Sequence, residues 1–321
     1  MKKNCMRLFF GICSLFLFTV SVFAADMLVP VGQVIGLEIH NDTVTVVAFD
    51  DCNSTGRDAG LQIGDEIRSI DAHPIESAED VRHALNSSDG SVDLVVSRGG
   101  KERQLHLQPK ITEEGPKLGV FLRQGITGIG TVTWYDPETG SFATLGHAVN
   151  DSKGKLLQMS RGSAYMAKVV SVQKGKAGAP GQLKGALNTD VRLGQLTGNT
   201  GCGVFGTAPK AWTGEAIPVG SSEEVKTGAA TIRATVSDGA PREYSVEIVN
   251  IYPKNRPDGR NLLLKVTDPD LIAATGGIVQ GMSGSPIIQD GKLVGAVTHV
   301  LVNDPTRGYG IFIENMLDAP G

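Results

Sequence analysis

Gly281-Met282-Ser283-Gly284-Ser285-Pro286 runs directly into Ile287-Ile288 and then Leu293-Val294-Gly295-Ala296-Val297. A serine between glycines, followed by Ser-Pro and an apolar β-type run, is the setting of a nucleophile on a tight turn. The chemistry asks for the glycines. A serine hydroxyl attacks a carbonyl well only when a base takes its proton and donors stabilise the oxyanion that forms. Backbone N–H groups of a tight turn are such donors, and glycine lets the turn form. The N–H groups of Gly281 and Ser283 are the expected oxyanion hole.

A base is needed upstream, and Thr144-Leu145-Gly146-His147-Ala148-Val149 offers one, 136 residues before Ser283. Gly128 to Tyr135 alternates like a strand, Asp136-Pro137-Glu138-Thr139-Gly140 is a turn, and Ser141 to Leu145 resumes as strand. His147 falls just past the strand end, where a ring can face a cleft.

Two stretches, Phe142-Ala143-Thr144-Leu145-Gly146-His147-Ala148 and Thr275 through Ile287, resemble those of the stage IV sporulation protein B peptidase family, and Gly308-Tyr309-Gly310-Ile311-Phe312-Ile313-Glu314 resembles its C-terminal strand. The resemblance runs over nearly the whole chain: a hydrophobic N-terminal segment, a PDZ domain, then a peptidase domain. It implies a chymotrypsin-like serine peptidase of endospore-forming bacteria. Such an enzyme acts between forespore and mother cell on a regulator of a membrane-embedded protease, leads to activation of a late mother-cell sigma factor, and cleaves itself near its N-terminus. The same resemblance places the third triad member at Asp268, within Val266-Thr267-Asp268-Pro269. That acid would accept a hydrogen bond from the second imidazole nitrogen and hold the tautomer. Asp190, 43 residues after His147, is the second candidate, on a spacing like that of chymotrypsin-like enzymes generally.

The 321 residues suffice for two domains of ordinary size, and 40% hydrophobic content supplies their cores. Forty-one glycines with short β-type runs point to a mainly β protein with tight turns. Residues 1–24, basic through Arg7 and apolar to Phe23, read as a signal peptide or an N-terminal membrane anchor, so the remainder is expected to be exported. Without that segment the chain carries 27 basic and 34 acidic residues, a net charge of −7 that disfavours nucleic acid. The six histidines show no HExxH pattern and the cysteines no paired spacing, so neither a metal nor another cofactor is expected. Outside the signal stand Cys52 and Cys202, one per domain, whose pairing the sequence leaves open.

Residues 28–108 read as the PDZ domain. Ala59-Gly60-Leu61-Gln62-Ile63-Gly64-Asp65-Glu66-Ile67 resembles its signature, Ser77 and Asp80 form a capping box for a helix through about Leu85, and Gly99-Gly100 joins a hairpin. PDZ domains capture peptide C-termini by strand addition, and Val34-Ile35-Gly36-Leu37 is the expected carboxylate-binding loop. Residues 109–116 read as a linker, and residues 117–321 as a double β-barrel peptidase.

The sequence therefore predicts an exported serine endopeptidase with catalytic His147, Asp268 and Ser283, acting on the extracytoplasmic part of a membrane-associated regulator. The alternative from another class is a non-catalytic PDZ adaptor on a degenerate peptidase body.

Overall fold

The computed structural model describes residues 27–51, 54–151 and 153–319. The expected signal segment and Cys52 lie outside them, and Cys202 is half-buried with no disulfide partner among the described residues.

Met27–Pro30 (β1) leads into the long strand Val34–Phe49 (β2), and a small module follows. It comprises Thr55–Asp58 (α1), Glu66–Ile70 (β3), His73–Pro74 (β4), Ala78–Ser87 (α2), Val92–Arg98 (β5), Lys101–Leu107 (β6), Lys110–Thr112 (β7) and Gly115–Lys117 (β8). A second long strand, Val120–Tyr135 (β9), leaves the module. Then come Ser141–Thr144 (β10), Arg161–Gln173 (β11), Gln182–Thr200 (β12), Gly203–Thr207 (β13) and Ile217–Pro218 (β14). The chain ends with Gly228–Ala234 (β15), Arg242–Ile251 (β16), Leu262–Val266 (β17), Pro269–Thr275 (α3), Pro286–Gln289 (β18), Lys292–Leu301 (β19), Asp304–Phe312 (β20) and Ile313–Leu317 (α4).

These strands close two barrels. The first runs β2-β9-β10-β13-β12-β11 and returns to β2, because β2 pairs with both β9 and β11. The second runs β15-β16-β17-β20-β19-β18 and closes on β15. Each barrel has its own apolar core, with Phe142 and Ile35 fully buried in one and Ile248 and Leu262 in the other. Trp134 and Phe205 from the first barrel meet Ala296, Ile311 and Met316 from the second, and this seam fixes one barrel on the other. The architecture is the mainly β, PDZ plus double-barrel fold that the sequence predicts.

The domain boundaries are different. The PDZ module does not precede the peptidase barrels but is inserted into the first of them. Val34 to Ile39 of β2 pair with Thr131 to Ile126 of β9 inside the barrel, whereas Val44 to Phe49 pair with Gln124 to Val120 inside the module. Two continuous strands thus carry the chain out of the barrel and back. The register breaks where they cross, between Ile39 and Val44. There Gly125 takes φ +77°, and a Cβ on it would lie 1.9 Å from the Ile39 carbonyl oxygen. Asn41 secures the crossing by accepting from the Gly125 N–H at 3.1 Å. The stretch read as a linker holds the β7–β8 hairpin of the module.

Within the module the local readings hold. Ser77 and Asp80 form the reciprocal cap of α2, whose Val81, Ala84 and Leu85 are buried. The β5–β6 hairpin turns at Gly99-Gly100.

The insertion has a direct consequence for truncation. Deleting residues 28–108 removes β1 and the barrel half of β2, and should leave no soluble barrel. Replacing residues 40–125 by an Asn-Gly turn instead joins the register partners Ile39 and Ile126 by a two-residue hairpin loop and should leave a folded, serine-reactive double barrel. Circular dichroism melts and active-site labelling of both forms check this.

Candidate active site

The serine turn and the histidine turn are built on one buried residue. Thr131 of β9 is 1% exposed. Its N–H donates to the Ser283 carbonyl at 3.0 Å, and its hydroxyl donates to the Gly281 carbonyl at 2.8 Å. Its own carbonyl accepts from the Thr144 hydroxyl at 2.6 Å and from the Leu145 N–H at 3.4 Å. One residue of the first barrel therefore sets the distance between the loop that carries the serine and the strand end that carries His147. Leu145 and Gly146 then both take positive φ, at 71° and 68°, and swing His147 into the space between the barrels. For leucine that conformation is strained, and it persists because Leu145 is buried in the first-barrel core.

His147 and Ser283 line the same cleft, about 480 Å³ in volume, together with Gly281, Thr298 and His299. The His147 Nδ1 lies 2.9 Å from the Ala148 carbonyl oxygen. A carbonyl only accepts, so in the neutral ring the proton sits on Nδ1 and Nε2 keeps its lone pair for base work. Asn199 holds the segment that follows. Its side chain accepts from the Val149 N–H and donates to the carbonyls of Val149 and Leu157, at 2.8–2.9 Å.

The structure does not bring Asp268 to His147. The carboxylate caps α3, accepting from the Leu271 N–H at 3.0 Å, and its second oxygen accepts from the Ser245 N–H at 3.2 Å. Both oxygens are committed to backbone donors, and Asp268 is not among the residues lining the cleft. Asp190 is exposed on β12, far along the β11–β12 hairpin, and does not line the cleft either. The orienting bond to His147 comes from the backbone carbonyl of Ala148 instead.

The expected oxyanion donors have the required freedom. Among the described residues neither the Gly281 nor the Ser283 N–H has an intramolecular acceptor. The Gln280 carbonyl accepts from Leu183 N–H at 2.8 Å and the Met282 carbonyl from Ser285 N–H at 3.0 Å. Because C=O and N–H of a trans peptide point in opposite directions, these bonds aim the Gly281 and Ser283 N–H groups away from Leu183 and Ser285. The Ser283 hydroxyl donates to the Thr298 carbonyl at 2.8 Å. Ser285 is wholly buried with an unpartnered hydroxyl.

His299 is a site residue that sequence reasoning passed over. Its ring centroid is 5.2 Å from that of His147, and its Nδ1 is buried without a partner. Burial, and then the neighbouring His147, push it down to about 4. Burial also holds His147 below the usual imidazole range, against the opposing effect of the Ala148 carbonyl. Since only neutral His147 can take the serine proton, the acid limb of kcat/KM should have its midpoint below pH 6.5. Stability follows the same sign. The unfolded chain binds protons at these histidines before the folded one does, so stability should be full above about pH 6.5 and decline as pH falls toward about 4. His299→Gln should flatten that decline, read from thermal melts across the range.

The Val34 to Leu37 segment, expected as the PDZ carboxylate loop, is a barrel strand paired with β9 throughout and with β11 from Ile35 on, so it has no free run of N–H groups to offer a ligand. The open groove of the module lies between α2 and the start of β9, about 530 Å³ in volume, lined by Val81, Leu85, Leu118, Gly119, Val120 and Leu122 among others. The Leu118 carbonyl accepts from the Gly56 N–H and the Gly119 carbonyl from the Asp50 N–H, which turns the next two N–H groups away from α1. Leu118-Gly119-Val120-Phe121, an apolar residue and a glycine opening a strand, was the sequence signal for it.

Compared with known proteins, the chain matches the family model of SpoIVB peptidase S55 over residues 114–317. Among curated proteins, the chain is 31% identical over 101 residues to the putative zinc metalloprotease Atu1380 of Agrobacterium fabrum, covering 31% of this chain and 26% of that protein. It is 34% identical over 98 residues to the putative zinc metalloprotease R01501 of Rhizobium meliloti, covering 30% and 25%. The chain thus spans about a quarter of the length of these relatives. Among solved structures it is similar to the PDZ domain of an SdrC-like protein from Listeria monocytogenes (26% identity, TM-score 0.23, 25% of this chain and 87% of that one). It is also similar to the active form of the Rv3671c protease from M. tuberculosis (15% identity, TM-score 0.34, 61% and 72%).

Proposed function

The chain belongs to the SpoIVB peptidase S55 family, a family of serine peptidases, and from that premise we propose that it is an exported endopeptidase that cuts the extracytoplasmic part of a membrane-associated regulator in sporulation signalling. The observation that carries the proposal is the cleft that gathers Ser283, a His147 with Nε2 free, and two unengaged backbone N–H groups.

In this reading the Ser283 hydroxyl leaves the Thr298 carbonyl and turns to His147. Ser283 Oγ attacks the scissile carbonyl as its proton passes to Nε2. The Gly281 and Ser283 N–H groups hold the oxyanion. The C–N bond breaks and the amine leaves with the proton from Nε2. Water then hydrolyses the acyl-enzyme with His147 again as base. The α2–β9 groove docks a peptide C-terminus by strand addition, at Leu118 to Leu122 and not at Val34 to Leu37. Self-cleavage near the N-terminus belongs to the same proposal, as does a working place between the forespore and mother-cell membranes.

Purified protein incubated with extracytoplasmic domains of membrane regulators from its sporulating host, with Ser283→Ala as the blank, tests the reading. A discrete cut, mapped by mass spectrometry and absent from the blank, is expected. Binding of such a domain without any cut would favour an adaptor.

A further inference from the structure

The cleft beside Ser283 has an aliphatic wall whose shape is set by the second barrel. Val300 of β19 and Gly308 of β20 stand directly opposite each other. Directly opposed residues of an antiparallel pair face the same side of the sheet. A Cβ added at Gly308 would lie 2.6 Å from Ile278 Cδ1, so Ile278 packs over the bare glycine on the side to which Val300 points. Ile278 is 2% exposed and its N–H donates to the Pro305 carbonyl at 2.7 Å, which fixes it in place. Ile278, Val279 and Val300 all line the cleft with Ser283, and Leu37 and Ile129 of the first barrel face it too. Val300 stands two residues beyond Thr298, whose carbonyl holds the Ser283 hydroxyl. No Asp, Glu, Lys or Arg is among the described residues lining this cleft.

A charged side chain entering such a space loses its hydration and meets no opposite charge among the described residues, whereas an aliphatic one gains from burial. Ile278 occupies the room that Gly308 leaves, and Val300, branched at Cβ, narrows what remains. We propose that the site takes a small or medium aliphatic residue (alanine, valine or leucine) on the acyl side of the scissile bond, and that Val300 sets the upper limit of its size. The inference rests on Ser283 being the nucleophile.

Peptidyl diphenyl phosphonates that differ only in the residue attached to phosphorus read this subsite through the rate at which they modify Ser283. The valine and leucine compounds should react at least about 100-fold faster than lysine-like and aspartate-like ones. In Val300→Gly the rate ratio of the phenylalanine to the valine compound should rise at least about tenfold. A charged compound reacting as fast as the valine one would overturn the proposal. So would an unchanged ratio in a Val300→Gly protein with a normal melting profile. A small fluorophosphonate without a peptide separates the two levels. If it labels Ser283 while the peptidyl series is flat, only the subsite falls. If it fails to label Ser283, the nucleophile assignment falls and the subsite with it.

Discussion

Ser283→Ala should lower peptide hydrolysis by about 10⁶-fold, the usual scale for loss of a nucleophile that works as a unit with its base. It should leave the fold intact. The hydroxyl makes one hydrogen bond, to the Thr298 carbonyl beside an open cleft, so its loss should cost within about 1 kcal/mol of stability. Ser285→Ala is the control that gives the result its meaning. Ser285 is two residues away in the same motif but wholly buried, and its hydroxyl has no partner to lose. Its removal should keep hydrolysis within about threefold of wild type, as for a change that breaks no interaction. Steady-state rates on a fluorogenic peptide, with thermal melts of both variants, decide the matter. Near-native activity in Ser283→Ala with a dead Ser285→Ala would reverse the assignment.

Gly284→Ala should be nearly as damaging, by another route. Gly284 takes φ +96°, and a Cβ there would lie 1.9 Å from the Thr131 carbonyl oxygen and 2.6 Å from the Leu145 nitrogen. These two groups bond β9 to the histidine turn, and Thr131 also holds the serine loop through its N–H and hydroxyl, so neither can withdraw without moving the other. Left-handed backbone strain and a clash with main chain together should destabilise the protein by about 3–5 kcal/mol. In the fraction that remains folded, displaced Gly281 and Ser283 N–H groups should lower the rate by a further 10²-fold or so, the scale of losing an oxyanion donor. Denaturant titration gives the first effect, and burst titration of active sites with a fluorophosphonate gives the second. A Gly284→Ala protein with wild-type stability and rate would show that the two loops are not locked together at Thr131.

How far the sequence could be read depended on how local each signal was. The serine turn was legible because glycine spacing around Ser283 is a backbone requirement written within six residues. His147 was legible because a strand, a turn and a second strand end just before it. Asp268 was misread because Asp-Pro carries two messages. Beside its resemblance to a catalytic aspartate it is also an N-cap followed by proline at the first helical position, and the latter is what the chain uses at α3. The Ala148 carbonyl that orients His147 has no side-chain signature at all. The PDZ insertion was hidden for a different reason. Val34–Ile39 and Thr43–Phe49 follow each other closely enough to read as parts of one domain, and only pairing with residues 71 to 97 positions later divides them between two. The carboxylate loop was assigned to Val34–Leu37 because that segment precedes the module in sequence, while Leu118-Gly119-Val120-Phe121 leads into and opens the strand that borders the groove. Asn199 and His299 sit singly in polar and apolar runs, and their roles exist only once the barrels bring them to the His147 turn.

The central claim is that Ser283 is the nucleophile and that His147 is oriented by a backbone carbonyl and not by Asp268. The most direct test is the site and rate of covalent modification by a fluorophosphonate in wild type and in Asp268→Asn, read by peptide mapping. Asparagine keeps the helix cap at Leu271 and loses only the exposed acceptor for the Ser245 N–H, so the variant should stay folded at a cost of about 1 kcal/mol. The expected result is a single adduct on Ser283 in both proteins, formed at rates within about threefold, since the substitution removes no contact to the cleft. An adduct on another residue, no adduct in the wild type, or a folded Asp268→Asn that reacts orders of magnitude more slowly would contradict the account.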